Sequence, residues 1–205
     1  MTEKPWEHQV HLTDPRALRA YAHPTRMTLV GLLRQEGPFT ATRAAELTGE
    51  SVASCSYHLR ILAKYGLVEE ADPGGPGREK PWRATAAYTD WPNYSPDPAV
   101  ASAAEALNAA VAENQFHRMM RALETRHTLP EEWQRAERHS DAMLYLTPEE
   151  LVALGERFDA MVAEFADRGY HPELRPEGAR RVAYLHVAYV APERATDTDR
   201  PGEQP

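Results

Sequence analysis

The sequence has a single cysteine, Cys55, which excludes an internal disulfide framework and any multi-cysteine metal site within one chain. It has only three lysines against twenty arginines, a bias that says little about function. Long apolar runs are also missing. The longest, residues 182–191, is interrupted by His186 and falls far short of the roughly 20 residues needed to span a bilayer. The first twelve residues lack the apolar segment of a secretory leader, so the expected location is the cytoplasm. There is no glycine-rich phosphate loop, no nucleophile elbow and no His-Glu-x-x-His pair. The Gly74-Gly75-Pro76-Gly77 stretch lacks the Lys-Ser/Thr of a phosphate loop and reads as a hairpin turn. These absences argue against an enzyme, and no cofactor is expected.

Hydrophobic content of 42% and charged content of 26% are ordinary for a globular chain. The net charge of −8 is unevenly spread. Residues 1–90 carry 11 Lys+Arg and 11 Asp+Glu, whereas residues 91–205 carry 12 and 20. The acidic excess therefore lies in the second half. Affinity for a polyanion depends on local basic groups, so the first half remains able to bind one.

Along the chain, Asp14-Pro15 is a cap and first-turn proline, and the helix it opens should break near His23, ahead of Pro24. A second helix, with Met27, Leu29, Val30, Leu32 and Leu33 on a broad apolar face, should run from Pro24 to about Gln35 and stop at Gly37-Pro38. Thr40 caps a short helix over 41–48, and Gly49 supplies a turn. Ser51 caps the next helix, over 52–65, which Gly66 ends. Two short helices joined by a tight turn form a helix-turn-helix. A strand over 67–71, a turn over 72–77 and a returning strand over 78–85 would add a wing.

A proline-bearing linker follows, and Asp97-Pro98 opens a long helix to about His127. Val100, Ala104, Leu107 and Val111 form a stripe on it at spacings of three and four, continued with some rotation by Phe116, Met119, Met120 and Leu123. At about 1.5 Å per residue the helix is some 45 Å long, too long to bury that stripe against a small winged domain. The stripe predicts dimerisation through Val100, Ala104, Leu107 and Val111. A short helix is expected around Trp133, and Thr147-Pro148-Glu149-Glu150 is a strong start for a helix over 151–168 that Gly169 should end. Residues 141–146 and 181–190 read as paired strands, the second buried on both faces.

The expected fold class is thus α+β, mainly α. It comprises an arm (1–13), a winged helix-turn-helix (14–90), a linker and long dimerisation helix (91–130), a small C-terminal α+β subdomain (131–192) and a disordered tail (193–205).

Three segments carry a family resemblance: Ala22-His23-Pro24-Thr25-Arg26; Ser56-Tyr57-His58-Leu59-Arg60-Ile61-Leu62 with Tyr65-Gly66-Leu67-Val68; and Gly77-Arg78-Glu79-Lys80-Pro81-Trp82-Arg83. In this order and spacing the chain resembles the ArsR-like winged-helix regulators over about residues 14–90, in a subgroup with a longer C-terminal half. The resemblance implies a homodimeric transcriptional regulator, most often a repressor, and many such proteins respond to a metal or small molecule.

For a recognition helix entering the major groove N-terminus first, helical geometry turns Cys55, Leu59 and Leu62 inward. It presents Val52, Ala53, Ser54, Ser56, Tyr57 and Arg60, and leaves Ser51 at a helix end suited to a phosphate. Arg60 suits phosphate or a guanine edge, Tyr57 phosphate or sugar, and Val52 and Ala53 a thymine methyl. Arg78 and Lys80 on the wing, and Arg43, complete the expected contacts to double-stranded DNA.

The segment 42–48 lacks the paired cysteines of metal-sensing relatives. His117, His127 and Glu131 do not match the spacing of their second site, and Glu113 with His117 is a weak chelate at most. No metal is expected, and a metal-sensing repressor is a minor alternative. Phe116, Trp133, Tyr145, Tyr184, His186 and Tyr189 are candidates for an apolar effector pocket, although core filling is the simpler reading of each aromatic. Control by a small molecule, and by a protein partner or by abundance, both stay open. A winged-helix module for protein contacts is the main competing reading.

Overall fold

A computed structural model of the chain describes residues 9–72, 80–86 and 88–192. The chain divides into two units, residues 1–175 and 176–205.

The first unit begins with a short strand, β1 (Gln9–His11), followed by helices α1 (Pro15–Tyr21), α2 (Pro24–Glu36), α3 (Ala41–Thr48) and α4 (Val52–Lys64). Strands β2 (Val68–Glu70), β3 (Trp82–Ala84) and β4 (Tyr88–Asp90) lead into the 28-residue helix α5 (Pro98–Thr125). Its caps explain much of this pattern. Asp14, Thr40, Ser51, Asp97 and Thr147 each accept a backbone N–H of the first turn that would otherwise lack a partner. At the end of α4, Gly66 adopts φ +71°, so its N–H reaches Ala63 O and that of Leu67 reaches Leu62 O. This Schellman closure turns the chain directly into β2, with Leu62 and Leu67 both fully buried.

β2 and β3 pair antiparallel, with Glu69 opposite Arg83 and Glu70 opposite Trp82. Phe39, just before α3, adds a bridge to Trp82 on the other edge of β3. Helices α1–α4 surround a core of Leu18, Leu29, Val30, Leu33, Cys55, Leu59 and Leu62. Three helices, a two-stranded wing and the bridge to the segment before α3 make a winged helix-turn-helix, and the molecule as a whole is α+β and mainly helical.

β1 and β4 form a parallel pair that the local pattern does not foretell. Leu12 N donates to Asp90 O, and the His11 ring pairs with the Asp90 carboxylate at 2.7 Å. Arg34 of α2 fixes the same segment through Ala86 O (2.9 Å) and the Thr89 hydroxyl (2.7 Å). The chain is thereby delivered to α5 beside α1. There Trp91 meets Tyr21 edge-on and donates to Asn108 of α5.

The first third of α5 is consequently part of the winged-domain core. Ala103, Ala104 and Leu107 are buried, and Val100, Ala110 and Val111 pack partly against the same cluster. Beyond that point Phe116, Met119, Met120 and Leu123 are exposed. The helix ends in a 3-10 turn, Arg126–Thr128, followed by α6 (Glu131–Ala136), α7 (Pro148–Ala163), α8 (Asp167–Tyr170) and a 3-10 turn, Pro172–Leu174. Thr147 and Glu150 form a reciprocal capping box on α7.

Three expectations for this region need correction. Residues 141–146 form no strand, and neither do residues 181–190 of the second unit, so the described C-terminal part contains helices and irregular backbone only. A run that is apolar on both faces marks side chains suited to burial, but a strand exists only where a neighbour accepts its ladder of N–H and C=O groups. Here Tyr145 is 100% exposed and Val190 89%. The helix expected over 151–168 stops at Ala163. Gly169, expected to end it, instead lies inside the separate short helix α8. The wing turn, the arm before Gln9 and the tail expected to be disordered fall wholly or largely outside the described residues.

Candidate nucleic-acid interface

α3, the turn at Gly49 (φ +76°) and α4 form the helix-turn-helix, and β2–β3 lies directly after it in the chain. The burial of α4 divides as its periodicity requires. Cys55, Leu59 and Leu62 are fully enclosed, while Val52, Ala53, Tyr57 and Arg60 are exposed. Ser54 and Ser56 are half-buried. Holding three apolar side chains in the core fixes the rotation of the helix, and thereby which residues face outward.

The outward groups are not idle. The Ser51 hydroxyl accepts Ser54 N–H at 3.1 Å, the Arg60 guanidinium donates to the Ser56 hydroxyl at 2.8 Å, and Arg43 pairs with Glu46 at 2.7 Å. On the wing, Lys80 pairs with Glu70 at 2.9 Å and Arg83 with Glu69 at 2.7 Å. The Glu70 carboxylate raises the Lys80 pKa by hydrogen bonding and charge, so the amine stays protonated. Arg78 lies outside the described residues. Arg83 was missed by motif reasoning, yet strand alternation alone puts it on the outward face of β3 with Glu69 as its cross-strand neighbour. The acids Glu69 and Glu70 neutralise the Arg83 and Lys80 cations of the wing. This is the local form of the zero charge balance over residues 1–90.

Behind this surface lies a second cluster that the sequence reading treated only as motif letters. The His23 and His58 rings meet with centroids 4.6 Å apart and their planes tilted by 40°, bringing the start of α2 against the middle of α4. Arg26 lies beside them, and Tyr57 meets His58 edge-on. Burial, then the Arg26 charge, lower the pKa of both imidazoles.

The other expected sites are less gathered. Of the dimerisation stripe, Ala104 and Leu107 are buried in the chain's own core and Val100 and Val111 are half-buried against it. Of the effector-pocket candidates, Phe116, Tyr145, Tyr184, His186 and Tyr189 are exposed and Trp133 is half-buried, so none is enclosed. The His117 ring bonds the Glu113 backbone carbonyl at 3.0 Å rather than its carboxylate. Among the described residues no three His, Cys, Asp or Glu side chains cluster as metal ligands, and no helix is long and apolar enough to cross a membrane.

The fold and the divided face of α4 define a winged helix-turn-helix protein. Residues 21–71, from the last residue of α1 to the residue after β2, match the family model described as "Helix-turn-helix domain". Similar solved structures include the homodimeric winged helix-turn-helix DNA-binding domain Mb0332 of Mycobacterium bovis, described as a possible ArsR-family transcriptional regulator. It has 16% identity, covers 62% of this chain and 85% of its own, and gives a TM-score of 0.32. Two variants of ZitR from Lactococcus lactis are also similar. The apo form has 16% identity over 70% of this chain and 83% of its own, TM-score 0.32. The other has 18% identity over 69% and 73%, TM-score 0.31. No curated protein matches the chain.

Proposed function

We propose that the protein is a sequence-specific regulator of transcription that binds double-stranded DNA as a homodimer, most simply as a repressor. The observation that carries this reading is the division of α4. Three fully buried side chains anchor it, and Val52, Ala53, Tyr57 and Arg60 project from the opposite face beside the wing. In this fold the N-terminal part of that helix enters the major groove. Val52 and Ala53 then meet thymine methyls, Arg60 leaves Ser56 for a guanine edge or a phosphate, and Tyr57 meets the backbone. Arg43, Lys80 and Arg83 reach phosphates by exchanging their carboxylate partners for DNA oxygens. Ser51 keeps its capping role at the helix end nearest the duplex.

In this reading dimerisation involves a different part of α5 from the one the spacing first suggests. With Ala104 and Leu107 committed to the chain's own core, the distal stripe of Phe116, Met119, Met120 and Leu123 is the surface available to a second copy. Two recognition helices about 34 Å apart would then meet successive major grooves of a pseudo-palindromic site.

One observation favours a second reading. Among the described residues of the wing, the basic side chains Lys80 and Arg83 are each paired with an acid, which suits a wing that contacts protein. Salt dependence separates the two. Fluorescence anisotropy with labelled genomic fragments should give an affinity for DNA that falls steeply between 50 and 200 mM salt, with a log–log slope of about −0.9 per phosphate contact. Weak binding with a flat salt response would favour the protein-contact reading.

A further inference from the structure

The paired histidine rings join two elements with different tasks. His23 is the N-cap of α2, its Nδ1 accepting Thr25 N–H at 3.2 Å. His58 projects from the inner flank of α4, next to Tyr57 on the outward face. The cap bond requires a bare lone pair on His23 Nδ1, so the proton of the neutral ring sits on Nε2. Adding a second proton abolishes that acceptor and places a cation at the positive end of a helix dipole.

The other ring is equally constrained. His58 Nδ1 and Arg26 Nε are buried without a hydrogen-bond partner. Arg26 Nε–H is a permanent donor, whereas His58 Nδ1 is an acceptor only while it is unprotonated. In the neutral state the two atoms are complementary. Once His58 takes up a proton, its Nδ1 also becomes a donor and the imidazolium stands within electrostatic reach of the Arg26 cation. The charged and titratable groups that act on the cluster are few. Arg26 of α2 opposes protonation of both rings, and His58 opposes that of His23. Glu50, in the turn before α4, favours the charged forms but is outweighed. Tyr57 and Tyr65 act on Arg26.

We propose that His23, Arg26 and His58 form a proton-operated latch that holds the recognition helix against α2 while both imidazoles are neutral and releases it as the pH falls. His58 and His23 are thus positioning residues. Their protonation loosens α4 and the first turn of α2, and of the groups proposed to face DNA the rings touch only Tyr57, through His58. The consequence for operator binding rests on the regulator reading above, but the latch itself is a property of the free protein.

The sign follows from linkage. Both groups bind protons less well in the folded state than at histidine's ordinary pKa of 6.5, so the latch is fully closed above that pH and weakens as the pH falls below it. At pH 5.5 a histidine free to titrate at 6.5 is protonated about ten to one, which caps the weakening at about tenfold per ring.

The test needs no DNA. Amide hydrogen exchange, corrected for intrinsic rates, is measured at pH 7.5 and 5.5 alongside an NMR titration of the histidine Cε1 protons. Protection in α4 and the first turn of α2 should fall several-fold to tenfold or more, with α5 changing much less, and both histidines should titrate below 6.5. The variant His23→Ser retains a capping hydroxyl. Combined with His58→Gln it should reduce the pH effect to less than twofold. Equal loss in the variant, uniform loss across all helices, or titration of both rings at 6.5 or above would each overturn the latch. Should the double variant fail to fold, His23→Ser alone and the wild-type titration decide the matter.

Discussion

Replacing Arg60 with alanine separates the fold from its use. The side chain is exposed on α4 and its guanidinium donates to the Ser56 hydroxyl one turn earlier. Losing an exposed hydrogen bond of this kind costs little, and alanine is at least as good a helix former, so the stability change should stay within about 0.5 kcal/mol. If Arg60 pairs with a guanine edge, the loss of binding should be about 1–3 kcal/mol per subunit, or roughly 5- to 150-fold. A dimer carries the residue twice, so the loss approaches double that figure if the half-sites act independently. If it pairs with phosphate instead, the salt slope should flatten by about 0.9 per subunit and the loss should be uniform across sequences. Anisotropy titrations at three salt concentrations, together with urea unfolding, read all of these quantities. Unchanged affinity and unchanged slope in a folded variant would refute the placement of Arg60 at the DNA.

The wing makes an opposite prediction. Glu69→Gln with Glu70→Gln frees Arg83 and Lys80, so DNA affinity should rise at low salt and the slope steepen by up to about 1.8 per subunit, measured by the same titrations. Leu107→Ala empties a fully buried site where α5 joins the winged core, and should lower stability by about 2.7–5 kcal/mol in urea unfolding. Met120→Glu places a charge in the exposed distal stripe of α5. It should convert a dimer to a monomer in light scattering with little effect on the unfolding of the winged domain.

The winged domain was legible in the sequence because its signals are local. Asp14, Thr40 and Ser51 as caps, Gly49 and Gly66 in the left-handed region, and the i, i+4, i+7 spacing of Cys55, Leu59 and Leu62 each act within a turn or two of chain. The inward face of α4 follows from the same spacing. The parallel pairing of β1 with β4 was not legible, since it joins three-residue segments 79 positions apart and depends on Arg34 and Asp90 meeting partners across the fold. Nor does periodicity show which part of a long apolar stripe a chain uses for itself. Ala104 and Leu107 look like Met120 and Leu123 until α1 is seen packed over the first pair. The apolar run over 181–190 records which side chains suit burial, but it cannot supply a neighbouring strand. The ion pairs of Glu69 and Glu70 were implicit in the wing's cross-strand register. The His23–His58 ring contact, by contrast, required the packing of α2 against α4.

Selection of genomic DNA fragments by the purified, folded protein, followed by sequencing of what is retained, tests the central claim most directly. A DNA-binding regulator that docks two recognition helices should enrich one or a few pseudo-palindromic sites with half-site centres about one helical turn, 10–10.5 base pairs, apart. Retention of no fragment above background at low salt would contradict the claim that this winged domain reads DNA.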